Sequence, residues 1–258
     1  MKKIFTILAI LLISFSIQAQ SQQAFEAGEW FRFRIHYGPF NASYATMEVE
    51  ETTLRNKPVY HIKGRGKSTG LLHLFFKVDD DYQTFIDKND GKPYKFIRKI
   101  DEGGYTKDLE IDFNHNDNKA HVFDKKHGEN NTYTTQENVH DMLSAFYYIR
   151  NNIKSDELSP GDEMNLNLFI DDETMNFKLR FLGREVIKTK FGKVATLKFR
   201  PLVMAGRVFK EKESLTFWIS DDANKLPVKI EADLKVGSLD ADLDAYKGLK
   251  HPFRIIVD

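Results

Sequence analysis

The ten residues EWFRFRIHYG, Glu29 to Gly38, alternate strictly. Phe31, Phe33, Ile35 and Tyr37 fall on one side of an extended chain, and Arg32, Arg34 and His36 on the other. A period of two marks a β-strand with one buried and one wet face. The pattern recurs. Ala45, Met47 and Val49 alternate with Thr46, Glu48 and Glu50, and it returns at Leu166, Leu168 and Ile170, at Phe177, Leu179 and Phe181, and from Val228 to Val236. Turn-forming runs separate these stretches: Asn89-Asp90-Gly91, Asp101 to Gly104, Asn114 to Asn118, and Ser159-Pro160-Gly161-Asp162. One-sided alternation belongs to antiparallel sheet. The sequence therefore predicts a mostly β protein whose antiparallel meanders form a barrel-like or sandwich body.

One segment breaks the period. Over residues 138–153, Val139, Met142, Leu143, Phe146, Tyr147, Ile149 and Ile153 recur at spacings of three and four, which predicts an amphipathic helix packed on the sheet. Asn138 with Asp141 is read as a weak form of the N-terminal capping box. The flanking stretches, 24–136 and 160–258, resemble each other. Tyr82 to Ile97 (YQTFIDKNDGKPYKFI) matches Leu215 to Ile230 (LTFWISDDANKLPVKI), so that Asp87 and Asp221, Pro93 and Pro227, and Lys95 and Lys229 are each 134 positions apart. Gly28 and Gly161 differ by 133. A near-constant offset is what an internal duplication produces, although shared turn chemistry yields such coincidences too.

The chain has 258 residues, with 38 basic and 38 acidic side chains and no cysteine. Neutrality removes the clustered positive charge that nucleic-acid binding rests on. The missing cysteine removes disulfides, thiolate chemistry and a cysteine-linked lipid anchor. Lys2 and Lys3, the apolar run Ile4 to Ile17 and the polar Gln18-Ala19-Gln20 read as a secretory signal peptide over 1–19, leaving a single β-rich domain over 20–258. The expected product is exported, periplasmic or extracellular, soluble or peripheral to the outer membrane, with no transmembrane segment after signal removal.

Candidate chemistry is sparse. KGRGKSTG, Lys63 to Gly70, ends like a phosphate-binding loop at Gly66-Lys67-Ser68, but His61 stands where the first glycine belongs. The eight histidines form no H-E-x-x-H motif. Ser144 has no nucleophile-elbow context, and His140-Asp141 are sequence neighbours that would not face each other on a helix. Carboxylates cluster at Asp79 to Asp81, Asp171 to Glu173, Asp221-Asp222 and Asp240, Asp242, Asp244. The last group lacks the Gly and Glu of a calcium loop and reads as the wet face of a strand. No catalytic residue, cofactor site or metal site is assigned. GLLHLFF, Gly70 to Phe76, is apolar without a period. Leu71, Leu72, Leu74, Phe75 and Phe76 are the candidate contacts to a lipid-like ligand, against the plainer reading of a buried turn.

AGEWFRFRIHYG, the D-D-Y-x-x-F-I-D stretch from Asp80 to Asp87, the helix NVHDMLSAFYYIRN and the run GRVFKEKESLTFWISDDANKLPVKIEADLKVGSLDADL together resemble the exported bacterial family known as domain of unknown function 3108. That resemblance implies an exported β-rich protein and brings no activity or catalytic residues. The hairpin beginning Trp218-Ile219 is similar to hairpins of periplasmic lipoprotein carriers, whose curved sheet holds acyl chains under a helix. The leading expectation is a non-enzymatic binding protein for an apolar or amphipathic ligand held in a concave sheet. The alternatives are a structural or protein-interaction module of the cell envelope and a carboxylate-based hydrolase.

Overall fold

In the computed structural model, residues 23–69, 77–202, 215–233 and 237–257 are described. The signal-peptide reading and the GLLHLFF candidates, Leu71, Leu72, Leu74, Phe75 and Phe76, lie outside the described residues. The N-terminal half runs as a meander of eight strands: β1 (Trp30–Tyr37), β2 (Phe40–Leu54), β3 (Lys57–Ser68), β4 (Asp79–Asp87), β5 (Pro93–Glu102), β6 (Tyr105–Asn114), β7 (Lys119–Asp124) and β8 (Glu129–Thr134). A two-residue strand, β9 (Val139–His140), leads into the helix α1 (Met142–Asn152). The second half follows with β10 (Glu163–Ile170), β11 (Glu173–Thr189), β12 (Gly192–Leu202), β13 (Leu215–Ser220), β14 (Pro227–Asp233) and β15 (Ser238–Lys247).

The two halves join because β15 returns to pair with β1, Tyr37 opposite Leu239 and Trp30 opposite Lys247. All fifteen strands thus form one sheet in the order β8 to β1, then β15 back to β9. It is not closed: β8 and β9 are its ends. The repeat offset read from the sequence recurs in the strand bounds. β1 and β10, β2 and β11, and β6 and β15 each start 133 residues apart, and β5 and β14 start 134 apart. Gly91 and Lys225, also 134 apart, both have positive φ in equivalent turns.

The sheet curls around α1. Tyr147 packs with Phe25, Val49, Tyr60, Ile62 and Ile86 of the first half. Ile149 and Ile153 pack with Leu179, Phe181, Leu197, Phe199 and Ile219 of the second. Near the two ends of the sheet, Phe169 of β10 meets Phe113 of β6 edge-on at 6.0 Å and Tyr133 of β8 at 6.0 Å. Just beyond β10, Asp171 is paired with both Arg98 and Lys107, tying the second half to the β5–β6 hairpin. Gly64 explains one strand glycine: a Cβ there would lie 3.1 Å from Met47 Sδ and 3.4 Å from Leu143 Cδ2, so its absence lets α1 settle on β3.

The helix starts later than its periodicity predicts. Asn138 has φ +52° and Val139 is in β9, so the chain enters α1 through a bend. Asp141 is the N-cap, and its Oδ1 accepts from the backbone N–H groups of Leu143 (2.8 Å) and Ser144 (2.9 Å). Ser144 Oγ in turn accepts from the Asp141 backbone N–H at 2.9 Å. This is a reciprocal capping box with Ser in place of the usual Glu or Gln. It gives Ser144 a capping role beyond packing.

Candidate functional site

The concave face, where the sequence reading places an apolar or amphipathic ligand, is occupied by α1 and its aromatic neighbours. At its centre Arg150 and Glu29 form an ion pair whose two side chains are fully buried, with N–O distances of 2.6 and 2.7 Å. Arg150 also donates to the carbonyl of Asn224 at 2.9 Å. The rings of Phe25, Phe31, Phe146 and Tyr147 surround its guanidinium within 6.0 Å. Burial works against the charge, but Glu29 more than offsets it and holds the Arg150 pKa above its ordinary value. One residue from the helix thereby fixes the N-terminal segment and the β13–β14 turn together.

A groove lies on the opposite face. The register places Lys198, Trp218, Lys229, Asp242 and Arg34 in one row across β12, β13, β14, β15 and β1, because cross-strand partners share a face. The tip of the β11–β12 hairpin folds back over this row: Lys190 bonds Asp244 at 2.7 Å, and Phe191 packs on Tyr246 with ring centres 5.0 Å apart. The groove so formed measures about 760 Å³, with Ile187, Trp218, Val228 and Leu243 among its lining. That volume is within the range of small-molecule sites.

Its walls carry both signs of charge in an ordered pattern. The acids of β15 face the bases of β1: Asp242 Oδ2 lies 2.8 Å from His36 Nε2, and Asp244 Oδ2 lies 2.9 Å from Arg32 Nε. Asp240 pairs with Lys229 of β14 at 3.1 Å, and Lys229 also bonds Glu231 at 2.7 Å. Glu185 accepts from Lys198 at 3.2 Å and from the Trp218 indole N–H at 3.1 Å. The ammonium groups of Lys198 and Lys229 lie 4.9 and 5.2 Å from the Trp218 ring centre. The alternating Asp240, Asp242 and Asp244 are the wet face of a strand, as the sequence predicts, with Leu243 buried beneath them.

The other sequence candidates fall apart from one another. Lys63 to Ser68 of the glycine-containing motif run along β3, where Lys63 bonds Glu50 at 2.6 Å; that part of it forms no loop. Asp222 organises the β13–β14 turn by accepting from Ser220 Oγ (2.8 Å) and Asn224 N (2.9 Å). Asp80 lies beside Glu102, and burial followed by that second carboxylate raises its pKa to about 6. Among the described residues no three His, Asp or Glu side chains converge as a metal site. His140 is buried 3.3 Å from Ser144 Oγ, and burial lowers its pKa to about 4. Because Ser144 is spent on the cap and is itself fully buried, the two do not present a nucleophile. Thr69 and Lys77, which flank the GLLHLFF run, are held at strand ends, Thr69 N–H donating to Ala42 O near the exposed Phe40 and Gly103 N–H donating to Lys77 O.

These features define a class: a long open antiparallel sheet curled on a single helix, with a charged groove on its far side. Within it, the chain belongs to the family described as protein of unknown function DUF3108, whose profile matches residues 32–244. A search of curated proteins returns no match. Among solved structures, the chain is similar to a beta-barrel-like protein of domain of unknown function DUF1849 from Brucella abortus. The TM-score is 0.55 at 12% identity, covering 86% of this chain and 98% of that one. A DUF1089 family protein from Pseudomonas aeruginosa (TM-score 0.36, 9% identity, 71% and 87% covered) and a Bacteroides fragilis protein with a YmcC-like fold (0.33, 11%, 86% and 96%) align less closely. The Brucella likeness agrees with the barrel-like architecture and speaks to fold alone. Among the described residues no helix is long and apolar enough to cross a membrane.

Proposed function

We propose that the chain is an exported, non-enzymatic binding protein of the cell envelope that takes an amphipathic ligand in the groove between β11 and the β1–β15 pair. The observation that carries this reading is a contrast within one sheet. The apolar concave face is filled by α1, whereas the far face has an unfilled groove of about 760 Å³ with apolar side chains and charged walls. An acyl chain under the helix would have to displace Tyr147 and Ile149, each at most 6% exposed. A small amphiphile lying in the groove displaces only water. Of the carboxylates of a hydrolase reading, Asp171, Asp222, Asp240, Asp242 and Asp244 are already engaged in ion pairs or turn hydrogen bonds, which supports the non-enzymatic reading.

Native mass spectrometry of the chain purified from an exporting host tests the proposal. A copurified amphiphile that is lost on Ile187→Arg, with the fold retained, is the expected result. A bare chain that also takes up no added amphiphile would sink it.

The interaction-module alternative has one observation in its favour. β8 ends the sheet, and five of its six residues are exposed. An edge of this kind can accept an added strand. Recovery of an envelope protein by the wild-type chain, lost on Thr132→Pro, would favour that reading instead.

A further inference from the structure

The charges of the groove are not equally occupied, and the imbalance has a sign. Glu185, Glu231 and Asp244 each lie within 3.2 Å of a Lys or Arg that bonds them, and Asp242 accepts from the His36 imidazole at 2.8 Å. Two cations of the groove are not matched in this way. Arg34 approaches Asp242 only to 3.9 Å and otherwise donates to the Asn41 side chain at 3.3 Å. Lys188, exposed on β11 opposite Lys193, has no ion-pair partner among the described residues. Both line the same groove as Ile187, Val228 and Leu243. Arg34 stands on the β1 side and Lys188 on the β11 side, so a ligand in the groove meets a cation on either wall.

We propose that the groove selects an amphiphile with an anionic headgroup, carboxylate or phosphate, held by Arg34 and Lys188 while its apolar part lies on Ile187 and the Trp218 ring. This inference rests on the groove being the ligand site. The chemistry runs one way. A guanidinium and an ammonium gain strong charge-assisted hydrogen bonds from such a headgroup, and Arg offers the planar fork that carboxylate and phosphate fit. A cationic headgroup finds no comparable opening, because Glu185, Glu231 and Asp244 already bond a Lys or Arg and Asp242 already bonds His36, and each would have to surrender that partner. The network around Trp218 makes a built-in reporter. Its indole N–H is fixed on Glu185, close to the apolar lining.

The experiment titrates the intact chain with four probes of equal chain length, decanoate, decyl phosphate, decanol and decyltrimethylammonium, below their micellar concentrations. Readouts are calorimetry and the Trp218 indole resonance in the 1H–15N spectrum. Expected are a shift with decanoate or decyl phosphate, little with the other two, and an affinity loss of about tenfold or more in Arg34→Gln/Lys188→Gln. The stronger of the two anions identifies the headgroup. Lys188→Gln alone, on an exposed side chain, gives a partial loss and guards against a folding artefact. If decanol or decyltrimethylammonium binds as well as the anions, or the double variant binds decanoate and decyl phosphate unchanged, anion selection is overturned while the groove remains the site. If no probe moves the Trp218 resonance, the groove itself is refuted as the binding site.

Discussion

The two faces of the second half of the sheet solve opposite problems with the same strands. On β13, Ile219 points to the helix and is buried with Phe181 and Leu197, whereas Trp218, its neighbour in sequence, points to the groove and lies among lysines and Glu185. Among the described residues the helix face holds one fully buried ion pair, enclosed by four rings; the groove face holds several, all partly wet. Buried charge is costly to leave unpaired, so the first arrangement is rigid and structural. Wet pairs contribute little to stability and can exchange partners, which suits a surface that must accommodate a ligand.

The sharpest way to break this contrast is to remove one partner of the buried pair. Arg150→Met leaves Glu29 charged among aromatic rings and should cost about 3–5 kcal/mol in urea unfolding. Glu29→Gln/Arg150→Met should cost less than the two single changes added together, because neither partner is then stranded. A loss below 1 kcal/mol for Arg150→Met would place the pair with the surface bridges instead.

The helix cap sharpens the contrast through pH. Asp141 is fully buried, and although Thr84 Oγ1 donates to its Oδ2 at 2.6 Å, burial raises its pKa to about 6. The folded state therefore holds this proton more tightly than the unfolded chain, whose ordinary value is 3.8. Its contribution to stability is fully present below pH 3.8 and is lost as pH rises through about 6, by at most on the order of 3 kcal/mol. His140 next to it behaves oppositely. Lowered to about 4 from 6.5, it contributes stability above pH 6.5 that is lost as pH falls through about 4. In the wild type the two offset each other. Asp141→Asn should leave the His140 effect alone, so that the urea midpoint falls between pH 6.5 and pH 4.5; an unchanged profile would contradict the assignment. At neutral pH, Asp141→Ala should cost about 1–2 kcal/mol for the lost cap.

The smallest effects belong to the groove. Arg34→Gln and Lys188→Gln should each change stability by less than about 0.5 kcal/mol in thermal or urea unfolding, since neither has a close acidic partner to strand. A large loss would mean that these cations support the fold and are not available to a ligand.

Much of the architecture was legible in the chain. Alternation from Phe31 to Tyr37 placed β1, the 134-residue offset between Pro93 and Pro227 recurs in β5 and β14, and spacing from Met142 to Ile149 placed α1. The cap was misplaced at Asn138 because Ser144 closes the box where Glu or Gln is the usual signal. The decisive contacts were illegible for a different reason. Glu29 and Arg150 are 121 residues apart, and the groove draws on β1, β11, β13, β14 and β15. Periodicity reports which side of a strand is wet, but not that β15 returns to β1 or that a hairpin tip folds over the row. Similarly, the apolar concave face was legible as a surface needing cover. That α1 is the cover follows only from packing.

The most direct test of the account is to map where an amphiphile binds by 1H–15N chemical-shift perturbation on the whole chain with decanoate. The account predicts that shifts concentrate at Arg34, Ile187, Lys188 and Trp218, with Tyr147, Ile149 and Phe181 unmoved. Shifts centred on α1 and the aromatic residues around it, with the groove silent, would contradict it.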